Sequence, residues 1–197
     1  MQLVPSDYFR KLSKEEIFET NRPLEIDLGC GDGSFLVAMA SHYQERNFLG
    51  VERLLGRVRK VIRKAEKSSL LNLKVLRLEL SYTIEWLLPD HCASRMHLLF
   101  PDPWPKNKHK KRRTVNQTLV KELTKKLKKK GVIRFATDHG DYFIEALALM
   151  KKFKYTMPDI SPKCWKYSDS NALHTKFEKK ALDKNHKLFY FSVLKNY

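Results

Sequence analysis

Short apolar runs alternate along this chain with longer amphipathic stretches, and that alternation constrains the fold more than anything else in the sequence. Leu24–Leu28, Phe48–Glu52, Leu73–Glu79, Met96–Phe100 and Val132–Thr137 have the length and apolar content of strands. Ser34–His42, Leu55–Lys67, Tyr82–Leu88, Val115–Leu127 and Tyr142–Phe153, between and after them, read as helices. This order predicts an α/β, Rossmann-like fold: a mostly parallel sheet with helices on both faces. Leu188–Leu194 reads as a late strand, and two late β-type runs without a clear helix between them predict an antiparallel edge strand. Residues 1–22 are polar and mixed and are expected to form an N-terminal arm. No internal repeat or Gly/Ser linker divides residues 23–197, so a single domain is expected there, and 197 residues suffice for one full core.

In sheets of this kind, ligands bind outside the carboxyl ends of the strands. Those positions are acidic here: Asp27, Glu52, Glu79, Asp102 and Asp138. Any one of them could be a helix cap, but the set points to a site. After the first strand comes Gly29-Cys30-Gly31-Asp32-Gly33, in which Gly29 and Gly31 let the backbone turn tightly and approach a ligand. A dinucleotide fingerprint would be G-x-G-x-x-G, yet Ser34 stands where its third glycine would be, and no G-K-[ST] follows. The surrounding acids would repel a pyrophosphate. They suit a cationic, donor-rich ligand such as S-adenosylmethionine, with its ammonium, sulfonium and ribose diol. Glu52 lies about 20 residues beyond the loop, where an acid can accept from both ribose hydroxyls.

The fourth strand runs into F-P-D-P-W-P-K-N-K-H-K-K-R-R, residues 100–113. Pro101, Pro103 and Pro105 make a stiff loop around Asp102 and Trp104. Trp104 either stacks on a base or plugs the loop onto the core. Lys106, Lys108, Lys110, Lys111, Arg112 and Arg113 then form a dense cationic run suited to phosphates. Lys+Arg number 39 against 22 Asp+Glu, a net charge of +17 that favours a polyanionic partner without choosing among DNA, RNA and an acidic membrane. A second cluster, Lys125–Lys130, is open between RNA contact and a solvated helix end. No apolar run has transmembrane length and no signal-peptide pattern is present, so a cytoplasmic protein without membrane contact is expected. Cys30, Cys92 and Cys164 are too scattered for a disulfide framework or a zinc site, and His109 and His139 lack ligand-like neighbours, so no metal is expected.

The motifs D-L-G-C-G-D-G, F-L-G-V-E, F-P-D-P-W-P-K-x-K-H-x-K-R-R, F-A-T-D and T-K-F-E occur in this order over roughly residues 24–180. In this the chain resembles the bacterial tRNA (guanine-N7)-methyltransferases. The glycine loop is common to many methyltransferases; the proline loop with its basic tail is far more specific. The resemblance implies a class I methyltransferase fold and methyl transfer from S-adenosylmethionine to N7 of guanine 46 in the variable loop of tRNA. It implies a cofactor site of Asp27, Gly29, Gly31, Glu52, Glu79 and Asp102. It further implies substrate contacts at Lys106, Asp138, Thr175, Lys176, Phe177 and Glu178, with RNA phosphates held by Lys108, Lys110, Lys111, Arg112 and Arg113. The family usually has glutamate at the position of Asp27 and aspartate at that of Glu79, and many members have a longer N-terminal arm. The family includes monomers and homodimers, and both stay open here.

Asp102 is the leading catalytic residue on this reading, holding the base, the cofactor or both. Thr175 and Glu178 also spell T-x-x-E, so a plain helix cap competes with a guanine contact there. A non-catalytic RNA-binding module on the same fold is the rival from another class, and the retained strand-end acids argue against it. Among enzymes, rRNA or protein methylation is the rival. An N-P-P-Y-type loop would mark an exocyclic-amine methyltransferase, and P-D-P-W stands in its place.

Overall fold

A computed structural model of the chain describes residues 1–153, 155–159 and 175–196. Its elements are β1 (Gln2–Leu3), α1 (Lys14–Ile17), β2 (Leu24–Leu28), α2 (Ser34–His42), β3 (Asn47–Val51), α3 (Leu55–Lys67) and β4 (Leu73–Leu76). These are followed by α4 (Leu80–Tyr82), β5 (Ala93–Leu99), α5 (Gln117–Lys126), β6 (Leu127–Thr137), α6 (Gly140–Lys152), β7 (Thr156–Asp159), α7 (Lys176–Asp183) and β8 (Phe189–Leu194). The strands form one sheet in the order β1-β4-β3-β2-β5-β6-β8-β7. The pairs from β1 to β6 are parallel, whereas β8 runs antiparallel to both β6 and β7.

Residue parity assigns the two faces. Adjacent residues on a strand point to opposite sides, and Phe48 and Leu49 accordingly fall in separate hydrophobic clusters. One cluster packs Ile26, Met96, Leu98, Ile133, Phe135 and Phe191 against α5 and α6. The other packs Phe48, Leu73 and Val75 against α2 and α3. Helix α3 buries Val58, Val61 and Ala65 at i, i+3 and i+7, which leaves its arginines and lysines outward. Gly50 is the point of closest approach: a Cβ there would lie 2.6 Å from the Leu36 side chain and 2.7 Å from the Cys30 sulfur.

β2, α2 and α3 span the stretches that sequence patterning picks out. The third run is shorter than expected, ending at Leu76, because Glu79 turns its carboxylate onto the Tyr82 amide at 2.8 Å and caps α4. A π-type turn, Thr83–Leu87, continues from there in place of a regular helix. The N-terminal 22 residues are tied to the body: Gln2 and Leu3 pair with Val75 and Leu76, and Leu12, Ile17 and Phe18 are buried. Where the pattern predicts no clear helix between the two late strands, α7 stands between β7 and β8, and the pattern marks only its T-x-x-E cap; Cys164 lies outside the described residues. Cys30 and Cys92 are buried free thiols.

Candidate functional site

The strand order reverses beside β2. The chain steps outward through β3 to β4, then crosses to β5 on the other side of β2. Loops leaving β2 and β5 therefore diverge and open a crevice at their carboxyl ends. A cavity of about 630 Å³ occupies it. Asp27, Gly29, Gly31, Glu52, Glu79 and Asp102 all line that cavity, so the six residues assigned to a cofactor are brought together.

The electrostatics differ sharply along β2. Glu25 and Asp27 share one face, two residues apart. Glu25 is fully buried but compensated: Arg95 donates at 2.7 Å, Arg46 at 3.0 Å, and His97 Nε2 lies 3.0 Å away. Asp27, one step nearer the crevice and 3% exposed, has no hydrogen-bond or ion-pair partner among the described residues. Burial, helped by the charge of Glu52, pushes its pKa up to about 7. Glu52 accepts from the Leu54 amide at 2.9 Å and faces Arg57 at 3.5 Å. Gly29 and Gly31 sit at φ +84° and +57°, and a Cβ at either would meet nothing within 4 Å, so their backbone borders open space. Asp32 anchors the loop instead. Lys64 and Lys176 each reach its Oδ2 at 3.0 Å and outweigh its burial, holding its pKa well below the carboxylate range.

Asp102 is exposed at the crevice, without a partner among the described residues. Its loop is held in an unusual shape, with Phe100 and Trp104 at φ +51° and +40°. Trp104 is half-buried against its own basic tail, with the Arg112 guanidinium 5.0 Å above its ring and His109 edge-on at 5.7 Å. The tail is a 3₁₀ turn, Asn107–Arg112, rather than an open loop. Lys106, Lys108, Lys111 and Arg112 are exposed, and Lys111 and Arg112 line the cavity. Lys110 is ion-paired with Glu145 at 3.4 Å. Arg113, expected on an RNA phosphate, must be reassigned. It is 3% exposed, donates to the Pro103 carbonyl at 2.7 Å and pairs with Glu145, so its charge is turned inward.

Thr175, Lys176 and Phe177 line the cavity from α7, and Phe177 is exposed. Glu178 does not join them. It is 6% exposed, completes a capping box with Thr175 and accepts from the Tyr190 hydroxyl at 2.7 Å, so the geometry follows the cap rather than a guanine contact. Asp138 is exposed directly after β6 but outside the cavity lining, as is Lys106. Arg57, Lys60 and Lys180 line the cavity and went unassigned. For Arg57 and Lys60 the signal was present in their i, i+3 spacing on a basic helix. Lys125 and Lys126 are paired with Glu122 and Asp90 at the end of α5, and Lys128–Lys130 open β6 at the opposite end of the sheet from the crevice, which favours the helix-end reading. Among the described residues, no three or more His, Cys, Asp or Glu side chains are grouped to hold a metal, and no helix is long and apolar enough to cross a membrane.

Residues 21–191 match the family model Methyltransf_4, whose description reads "Putative methyltransferase". A tRNA (guanine-N(7)-)-methyltransferase of Leptospira interrogans is 34% identical, over 94% of this chain and 88% of its own. Its namesake in Zymomonas mobilis is 33% identical, over 91% and 78%. Among solved structures, the 16S rRNA methyltransferase KamB superposes with a TM-score of 0.68 at 15% identity, covering 94% of both chains. A precorrin-6y C5,15-methyltransferase of Geobacter metallireducens gives 0.62 at 13% identity, over 92% of this chain and 86% of its own. At such identities the likeness concerns the fold alone.

Proposed function

The chain belongs to the tRNA (guanine-N(7)-)-methyltransferase family, and from that membership we propose that it transfers the methyl group of S-adenosylmethionine to N7 of guanine 46 in the variable loop of tRNA, in the cytoplasm. One observation carries the reading: a buried Asp27, without a partner among the described residues, shares a crevice with Glu52 and with Asp102 on its stiff loop.

The crevice fits the cofactor. Asp27 is a buried acceptor without a donor among the described residues, suited to an ammonium. Glu52 is suited to the ribose hydroxyls, and open space at Gly29 and Gly31 suits close backbone approach. When bound, S-adenosylmethionine supplies an electrophilic methyl on a sulfonium. Guanine N7 carries a lone pair and no proton, so no residue need act as a base toward it. The residues' task is alignment of N7 with the methyl and exclusion of rival nucleophiles. Positive charge grows on the base during transfer, and the Asp102 carboxylate stabilises it. The same carboxylate is suited to accept from guanine N1 and N2. Lys106, Lys108, Lys111 and Arg112 hold the RNA backbone. Incubating the protein with unmodified tRNA and methyl-labelled cofactor, then mapping 7-methylguanine, tests both reaction and position. Label at another base, or none, overturns the proposal.

A further inference from the structure

We propose that Arg113 and Glu145 are positioning residues for methyl transfer, a brace from α6 that sets the shape of the Asp102 loop; this rests on the catalytic reading of Asp102 above. Arg113 ends the basic turn, and its backbone amide donates to the Lys110 carbonyl at 2.9 Å. Its side chain does three things at once. Nε donates to the Pro103 carbonyl at 2.7 Å, one residue beyond Asp102. Nη1 pairs with Glu145 Oε2. The guanidinium plane lies 4.8 Å above the Tyr142 ring, whose hydroxyl accepts from the Val115 amide at 3.0 Å. Lys110 reaches the other oxygen of Glu145, so the middle of the turn and its closing residue meet on one carboxylate.

Tyr142 and Glu145 are three residues apart on α6 and share a face. That helix begins at Gly140, two residues after Asp138. The Asp102 loop and the Asp138 end of β6 are thereby tied to the same rigid element. The tie has a reason in the backbone. Phe100 and Trp104, on either side of Asp102, hold positive φ without being glycine, and such angles persist only where surrounding contacts over-determine them. The Pro103 carbonyl, adjoining Trp104, is the group that Arg113 holds. Lysine has no fork to bind a carbonyl and a carboxylate together, so the site calls for arginine. Glu145 is 44% exposed, but its partner is 3% exposed, and removing the acid strands a buried cation.

The test compares Glu145→Ala, Glu145→Gln, Arg113→Lys and Asp102→Ala in steady-state kinetics on unmodified tRNA, with calorimetric cofactor titration and timed trypsin cleavage of the basic turn. Small misplacement of an aligning group costs on the order of 100-fold in rate, so Glu145→Ala is expected to lower kcat by roughly 10- to 100-fold. KM for tRNA and cofactor affinity stay within about threefold, because ground-state binding is not what the brace serves. Glutamine keeps an acceptor and recovers part of the loss, and cleavage within residues 106–113 quickens in the Ala and Lys variants. Unchanged kcat in Glu145→Ala, with Asp102→Ala inactive, overturns this inference alone. Full activity in Asp102→Ala overturns the catalytic reading and the brace's role with it. Parallel loss of kcat, cofactor affinity and melting temperature overturns positioning in favour of a merely structural contact.

Discussion

Asp27 is a carboxylate buried beside another acid, and its pKa near 7 has consequences of definite sign. In the unfolded chain an aspartate titrates at about 3.9. The folded protein therefore holds this proton more tightly, so the group's contribution to stability is full below about pH 4 and is lost as pH rises to about 7. A cationic ligand reverses the preference and expels the proton. Cofactor affinity is accordingly expected to rise up to about tenfold per pH unit below pH 7 and to level off above it. Asp27→Asn should weaken binding at pH 8 and flatten that profile, while raising the melting temperature of the free protein at the same pH. Calorimetry and thermal unfolding over pH 5.5–8 check this, and an unchanged profile in Asp27→Asn removes Asp27 from the ligand's charge. Arg113 teaches the complementary lesson. In sequence it is the last of a run of surface-like cations, and nothing local distinguishes it from Arg112. The Pro103 carbonyl, together with Glu145 and Tyr142 more than one helix away, draws it inward.

At the scale of elements, α7 decides how the T-K-F-E motif is used. Thr175 caps the helix through the Glu178 amide at 3.0 Å, and Glu178 returns to the Thr175 amide at 3.3 Å. The cap sets where Lys176 and Phe177 point, and Lys176 meets Asp32 of the glycine loop. Thr175→Ala is expected to cost about 1 kcal/mol in the opening of α7, whereas Thr175→Ser keeps the acceptor and should preserve both the helix and methyl transfer. Hydrogen exchange of the α7 amides measures the first and the tRNA assay the second. Loss of activity in Thr175→Ser, with α7 still protected, would assign the threonine a direct contact. This helix escaped the sequence pattern because its eight residues bury only Glu178 and Ala181, too few to show a period.

Across the whole molecule, the crevice brings acids and cations together, with Asp27 and Glu52 buried and Asp102 exposed. Lys60 on α3, Lys111 and Arg112 on the basic turn, and Lys176 and Lys180 on α7 stand around Asp27, Glu52 and Asp102. Lys128–Lys130 begin β6, at the far end of the sheet. Reversing Lys108, Lys111 and Arg112 to glutamate is expected to weaken tRNA binding and flatten its salt dependence by roughly two to three in log–log slope. The same reversal at Lys128, Lys129 and Lys130 should leave the slope nearly unchanged. Equal effects from both sets would mean that net charge, rather than the basic turn, attracts the RNA.

Strand and helix periodicity, the strand-end acids and the proline loop are local properties of the chain, and they suffice for the α/β class, the family likeness and the residues that meet in the crevice. Periodicity reports which way a side chain faces relative to its own element, and turn chemistry reports where the chain must bend. Neither reports what lies opposite. The caps made by Glu79 and Glu178 are closed by groups three residues away, but the desolvation of Asp27 against the triple compensation of Glu25 and the inward turn of Arg113 each depend on partners distant in sequence. Those pairings exist only once β2, β5 and α6 are packed. Tertiary structure therefore decides which of several chemically alike charges face the ligand and which hold the fold around it.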